Sequence, residues 1–319
     1  MKKNIILFTL SICLLFFTSA HAQNKPEFLN LNPVQKAWVD SVFLSLTPEE
    51  RIAQLIMVAA TSDTRRALID TTNSNPSFVA KLIRENKIGG VVFFQGGPMP
   101  QARLTNQFQS VSKVPLLVAM DAEWGLAMRI DSTVRYPYQM TMGAMQGHDD
   151  LIFTMGAQLA QQARRLGVHI NFAPVADINN NPNNPVINFR SFGENKYRVA
   201  EKALAYMKGM QYHGLLTSAK HFPGHGDTGV DSHYDLPMIP KSRAQLDSLE
   251  LYPFKVLVDN GLSGTMIAHL SIPALDSTPN LPSTLSKPIV TRLLQDDLGF
   301  RGLIYSDAMN MKGVTKYYS

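Results

Sequence analysis

Residues 151–166, LIFTMGAQLAQQARRL, run through Gly167 into residues 168–173, VHINFA. In the first stretch Leu151, Met155, Leu159 and Ala163 recur every four residues, the spacing of one helical face. The second stretch is short and apolar, as a buried strand would be. This unit repeats along the chain. Strand-like apolar runs occupy 52–60, 90–94, 115–120, 168–173, 215–219, 264–268 and 302–305. Helical patterns lie between them. One covers 198–212 and is closed by His213-Gly214. Another starts at Ser242, with Gln245 three residues later as a capping box, and runs towards Asn260-Gly261. A third covers 287–298, with Pro288 in its first turn and Gly299 just past its end.

Such alternation implies an α/β fold with parallel strands and covering helices. Seven strands favour a TIM-type (β/α)₈ barrel over an open doubly wound sheet, and no G-x-G-x-x-G follows the first strand. A barrel carries its working residues just beyond each strand, at the C-terminal mouth. Those positions hold Asp121, Asp177, Lys220-His221, His269 and Asp307, all polar after apolar runs. The seventh strand ends near Tyr305, and the sequence stops at Ser319. The barrel is therefore expected to be truncated after its seventh strand, as part of a longer gene product.

Residues 1–22 carry the marks of a signal peptide: Lys2 and Lys3, an apolar run from Ile5 to Phe17, and Ala20-His21-Ala22 as a cleavage site. The run is too short to span a bilayer comfortably, so no stable membrane anchor is expected. Residues 23–44 form a lead-in and 45–319 the barrel domain. Export places the mature protein in the periplasm or outside the cell. The only cysteine, Cys13, leaves with the signal peptide, which removes thiol catalysis and Cys-ligated metals. Loss of Lys2 and Lys3 takes the formal charge from +5 to +3, and no basic run follows, so no nucleic-acid partner is expected. With 45% apolar and 17% charged residues the chain can fill one large core.

The densest polar block is Lys220-His221-Phe222-Pro223-Gly224-His225-Gly226-Asp227-Thr228, continued to Asp231-Ser232-His233. Its proline and glycines mark a loop. Three histidines and two aspartates beyond Lys220 are compatible with metal binding, proton transfer or a hydrogen-bonded structural loop. The pair Asp231-x-His233 is the informative one. In an extended segment residues two apart share a side, and a carboxylate on one ring nitrogen leaves the other free to exchange a proton. A metal site would want ligands converging from firmer supports. Asp307 and Asp121 each follow an apolar strand; a loop carboxylate or helix cap is the plain alternative, and paired sugar hydroxyls are a natural partner for Asp121.

The nine-residue block resembles the signature of glycoside hydrolase family 3, in its β-N-acetylglucosaminidase branch. Asp231-Ser232-His233 is similar to that branch's acid/base loop, and Ser306-Asp307-Ala308-Met309-Asn310-Met311 to its nucleophile segment. Asp121-Ala122-Glu123-Trp124-Gly125, Ala173-Pro174-Val175-Ala176-Asp177 and Arg190-Ser191-Phe192-Gly193 are further similarities, in family order from about residue 45 onward. The resemblance implies a TIM-type barrel acting on a carbohydrate, hydrolysis with retention, and neither cofactor nor metal. Carried over by position, Asp307 is the nucleophile, His233 the general acid/base and Asp231 its partner. Asp121, Arg129, Arg190, Lys220 and His221 line the subsite for a terminal N-acetylglucosamine. Leu126 and Trp124 depart from the family pattern, at positions usually held by arginine and glycine, and alter the subsite rim. His225, Asp227, His269, Asp177 and Met309 are expected to organise rather than react. Peptidoglycan fragments are the expected glycans. Phosphorolysis, or a glycan-binding barrel without catalysis, are the alternatives.

Overall fold

The computed structural model of the protein describes residues 26–62 and 75–318. The expected signal peptide lies outside the described residues. Seven strands form one sheet: β1 (Met57–Ala60), β2 (Gly90–Phe93), β3 (Leu117–Met120), β4 (Ile170–Asn171), β5 (Leu216–Phe222), β6 (Gly264–Ile267) and β7 (Leu303–Ser306). They neighbour one another in chain order and every pair is parallel. Met57, Val92, Ala119, Ile170, Phe172, Leu216, Met266 and Tyr305 form one apolar cluster, so every strand contributes to it. A flat sheet cannot bring its first and last strands into one cluster; this one curls on itself, with alternate residues filling the interior. Along β3 the neighbours of Ala119, Val118 and Met120, belong instead to the outer core beneath the helices. Seven strands of a TIM-type barrel are present, as the sequence predicts, with β1 and β7 at the edges.

The helices are α1 (Pro33–Ser45), α2 (Pro48–Ala53), α3 (Pro76–Lys81), α4 (Pro98–Val111), α5 (Gln139–Gly143), α6 (Asp149–Arg165), α7 (Lys196–Tyr212), α8 (Arg243–Ser248), α9 (Leu251–Asp259) and α10 (Lys312–Thr315), with wider π-type turns at Leu82–Asn86 and Pro288–Asp297. Among the described residues no helix is long and apolar enough to cross a membrane. Helix α6 has Asp149 and Asp150 in its first turn and Arg164 and Arg165 in its last, each complementing the helix dipole.

Four local expectations need correction. Residues 52–60 are not one strand: Thr47 and Glu50 form a capping box with Pro48 in the first turn, so Ile52 and Ala53 finish α2 before β1 begins. The buried stripe of α6 runs through Ile152, Met155, Leu159 and Ala163, while Leu151 is exposed. A repeat of 3.6 residues drifts off a four-residue spacing within three turns. The helix from Ser242 is two helices, because Leu249 leaves helical geometry (φ −127°, ψ −80°). Strand β5 extends to Phe222, so Lys220 and His221 are strand residues rather than loop residues.

Helices α6 and α7 pack through glycines. A Cβ on Gly156 would lie 2.7 Å from the Tyr206 carbonyl oxygen, and one on Gly209 only 2.0 Å from that of Phe153. Backbone cannot yield as a flexible side chain can. Gly209→Ala should therefore lower unfolding stability by at least about 1–3 kcal/mol. Gly229→Ala, at a position with open space, should stay within about 0.5 kcal/mol. Chemical denaturation of the two variants checks the contrast, and equal losses would contradict this packing.

Candidate active site

The strand ends deliver a cluster of charges to the barrel mouth. Lys220, near the end of β5, is buried; its Nζ donates to Asp121 Oδ1 at 2.7 Å and lies 2.8 Å from Glu123 Oε1. Asp121 follows β3 directly, and its Oδ2 accepts from Arg129 Nη2 at 3.0 Å. Arg190 grips Glu123 with two bonds, Nε to Oε2 at 3.0 Å and Nη2 to Oε1 at 2.7 Å. Burial works against ionisation of Asp121, but the Lys220 and Arg129 cations outweigh it and hold the carboxyl below its ordinary range. For Glu123, fully buried, burial is likewise outweighed by Arg190 and Lys220. Removing one partner of such a buried set leaves an uncompensated charge, at about 3–5 kcal/mol. A fixed array of paired donors and acceptors suits a polyhydroxylated ring.

A second carboxylate organises the next segment. Asp177 is fully buried and accepts from the backbone amides of His221 at 3.1 Å and His225 at 2.7 Å, and from His221 Nδ1 at 2.6 Å. The Arg190 Nη2 group lies 3.3 Å from His221 Nε2. A guanidinium can only donate, so Nε2 accepts and Nδ1 carries the proton towards Asp177. His225 sits between Thr228 Oγ1 (2.8 Å from Nδ1) and Ser232 Oγ (3.2 Å from Nε2). Burial, followed by repulsion from His221, pushes its pKa down to about 4.

The loop beyond β5 carries the third element. Asp231 Oδ1 accepts from both the backbone amide and the Nδ1 of His233, at 2.9 and 2.7 Å. The spacing in the sequence found this pair, but the reason is a turn: Tyr234 N donates to Asp231 O at 3.0 Å, so the segment is not extended. Burial opposes the ionised form of Asp231, yet the bonds from His233 hold its pKa below the usual range. The His233 side chain is 61% exposed, leaving Nε2 open. Asp307 follows β7. Its amide donates to Ile267 O at 2.9 Å, and its Oδ1 accepts from Ala308 N at 2.7 Å.

The two segments are joined through main chain. Gly313 N donates to Ser232 O at 3.0 Å and Lys312 N to His233 O at 3.4 Å. His269, buried after β6, donates from Nε2 to Ala308 O at 3.0 Å. Burial pushes the His269 pKa down against the pull of Asp307, with His221 and His233 acting on the same ring. Asp307 also acts on His225. His221, His225, His233 and Asp307 are thus linked electrostatically around His269. His269 and Asp177 are tied to backbone groups and to the His221 ring; Leu126 is buried.

Glu123 was missed as a site residue. It is the hub between Lys220 and Arg190, and the only hint in the sequence is its position two residues after Asp121. Among the described residues no group of three or more His, Cys, Asp or Glu side chains is placed to hold a metal ion.

The buried His225 predicts an acid-sensitive fold. Its ordinary pKa is about 6.5, so between about pH 6.5 and 4 the unfolded chain binds a proton that the folded one refuses. Stability present above that window is lost as pH falls through it, by up to about 3 kcal/mol. His225→Asn should lower the proton uptake on unfolding near pH 5 by about one. An unchanged pH slope would contradict this.

Comparison with known proteins gives a consistent assignment. The family model described as "Glycosyl hydrolase family 3 N terminal domain" matches residues 47–319. Beta-hexosaminidase A of Pseudoalteromonas piscicida is 35% identical over 266 residues, covering 76% of this chain and 44% of that protein. The solved glycoside hydrolase family 3 beta-N-acetylglucosaminidase from Paenibacillus sp. str. FPU-7 superposes with a TM-score of 0.75 at 34% identity, covering 86% of this chain and 51% of that one. The beta-glucoside phosphorylase BglX bound to 2FGlc superposes with a TM-score of 0.82 at 26% identity, covering 90% and 51%. The chain spans about half the length of these proteins. A curled parallel sheet, the charge cluster of β3 and β5, and the match from residue 47 to 319 together mean that this chain belongs to glycosyl hydrolase family 3, through its N-terminal domain.

Proposed function

We propose that the protein is a retaining β-N-acetylglucosaminidase that removes terminal β-linked N-acetylglucosamine. The observation that carries this reading is the main-chain tie between the Asp231–His233 loop and the segment directly after Asp307. In this reading Asp307 attacks the anomeric carbon as the glycosidic bond breaks, and the departing oxygen takes the proton of His233 Nε2. Asp231 favours the imidazolium by accepting from Nδ1. Water then attacks the glycosyl-aspartate, His233 removes its proton, and the β configuration is restored. Asp121, Arg129, Arg190, Lys220 and His221 hold the sugar. Its 2-acetamido group takes no part as nucleophile, since the enzyme supplies Asp307. Likeness to a beta-hexosaminidase of Pseudoalteromonas and a beta-N-acetylglucosaminidase of Paenibacillus supports the hexosaminide substrate. The signal-like segment at 1–22 supports a site of action in the periplasm or outside, with peptidoglycan fragments as substrate.

Likeness to a β-glucoside phosphorylase favours a second reading. A histidine donor does not repel an anion nearing the intermediate as a carboxylate would, so phosphate can replace water as acceptor. Turnover in phosphate buffer separates the two: free sugar alone supports hydrolysis, and sugar 1-phosphate supports phosphorolysis.

Replacing the two reacting groups should have different signatures. Asp307→Ala should reduce turnover of every substrate to background. His233→Ala should lower turnover of natural disaccharides by about 10²–10⁴ and spare aryl glycosides whose leaving group needs no proton. Equal losses on both substrates would remove His233 as the donor.

A further inference from the structure

The loop that carries His233 is closed at its base by one side chain that no motif contains. Lys241 Nζ lies 2.9 Å from Asp227 Oδ2, at the loop's entrance, and also contacts Glu250 Oε1 at the head of α9. Lys241 itself stands at the loop's exit, so this cation joins the two ends to each other and to a helix. Glu250 is buried, and its Oε1 accepts from Asn180 Nδ2 at 3.1 Å, while Oε2 has no hydrogen-bond partner among the described residues. Burial disfavours the charged lysine, but its two carboxylate partners raise its pKa, so it stays protonated at neutral pH. Gly224 packs directly on Glu250: a Cβ there would meet the Glu250 Cβ at 2.7 Å.

The rest of the loop is held differently. Ile239 N donates to Ser271 O at 2.9 Å, and Ser271 N to Pro237 O at 2.8 Å, on the exit side. At the tip, Asp235 accepts from Lys316 Nζ at 2.8 Å and Tyr317 Oη at 3.1 Å. Those tip contacts are exposed and weak in water. His225 ties the entrance to Ser232, and Gly313 and Lys312 hold Ser232 and His233 through main chain. The Lys241 contacts are sheltered and join Asp227 at the entrance directly to the exit.

We propose that Lys241 is a positioning residue for the reaction: by clamping Asp227 and Glu250 together it sets the closure of the loop that aims His233 at the departing oxygen. The proposal rests on the reading of His233 as proton donor. Without the clamp, entrance and exit move apart and His233 samples more positions, while Asp121, Arg190 and Lys220 still hold the sugar. The loss then falls on proton donation and not on binding.

The test compares Lys241→Met, Lys241→Arg and His233→Ala with the parent, all in the full chain, on N,N′-diacetylchitobiose and on 4-nitrophenyl N-acetylglucosaminide. Lys241→Met should lower kcat on the disaccharide by about 10- to 100-fold, a fraction of the general-acid contribution, with far smaller loss on the aryl glycoside and unchanged KM. Lys241→Arg should restore most of it. Equal loss on both substrates, or none on either, overturns the proposal. Should Lys241→Met fail to fold, the neutral triple variant Asp227→Asn, Lys241→Met, Glu250→Gln removes the stranded charges and must show the same substrate contrast. Failure of that variant to fold assigns the cluster to stability alone and also overturns the proposal. If His233→Ala shows no contrast between substrates, the reading of His233 falls and takes the Lys241 role with it. If His233→Ala shows the contrast and Lys241→Met does not, the Lys241 role falls alone.

Discussion

A buried ammonium is the constraint around which this barrel mouth is built. Lys220 is almost wholly withdrawn from water and must be compensated on the spot. Its two carboxylates come from the end of β3, one strand away across β4, although Asp121 is 99 residues away in the sequence. The parallel registers through β4 set Met120, the last residue of β3, level with Thr217, so Asp121 follows beside the part of β5 that runs on to Lys220. Arg190 then completes the charge balance on Glu123 and reaches His221. These charged side chains are therefore held by one another, and preorganised charge is what a site can use most effectively.

The proposed reacting groups stand on less rigid ground. Asp307 sits at the end of β7, an edge strand, and His233 on a glycine-rich loop outside the sheet. Main-chain bonds from Lys312 and Gly313 hold that loop against the segment following Asp307. A Cβ on Gly313 would lie 3.1 Å from both Ser232 O and His269 Cβ, so only glycine lets the two segments come this close without displacement. The proposed division of labour follows from this: strands hold the charges of the mouth, and a loop would deliver the proton. A proton donor that must meet the leaving group gains from adjustable reach, whereas a sugar-binding array gains from stiffness.

Much of this was legible in the sequence. All seven strands fall within or beside the predicted apolar runs, and the central ones are buried on both faces and so lose the alternation that would otherwise blur their signal, whereas the edge strands β1 and β7 are only partly buried. Their ends were less legible. The run from Ile52 hid a helix boundary, since Ile52, Leu55 and Ile56 are apolar yet exposed. Lys220 and His221 looked like loop residues because a glycine-rich block follows them, while strand pairing with β6 carries on to Phe222. The Asp231–His233 pair was found by its spacing, although a turn, not an extended segment, brings the groups together. Glu123 and Lys241 escaped notice for one reason. Glu123 draws its meaning from partners far along the chain and Lys241 from partners outside its own segment, and a lone charged residue in a loop carries no local sign of burial.

The proposed mechanism requires that Asp307 become covalently glycosylated. Incubation with 5-fluoro-N-acetylglucosaminyl fluoride, which forms the intermediate faster than water clears it, followed by peptide mass spectrometry, tests this directly. The account predicts that the added sugar mass lies on the peptide bearing Asp307. Labelling of another carboxylate, or an active protein that never labels, would contradict it.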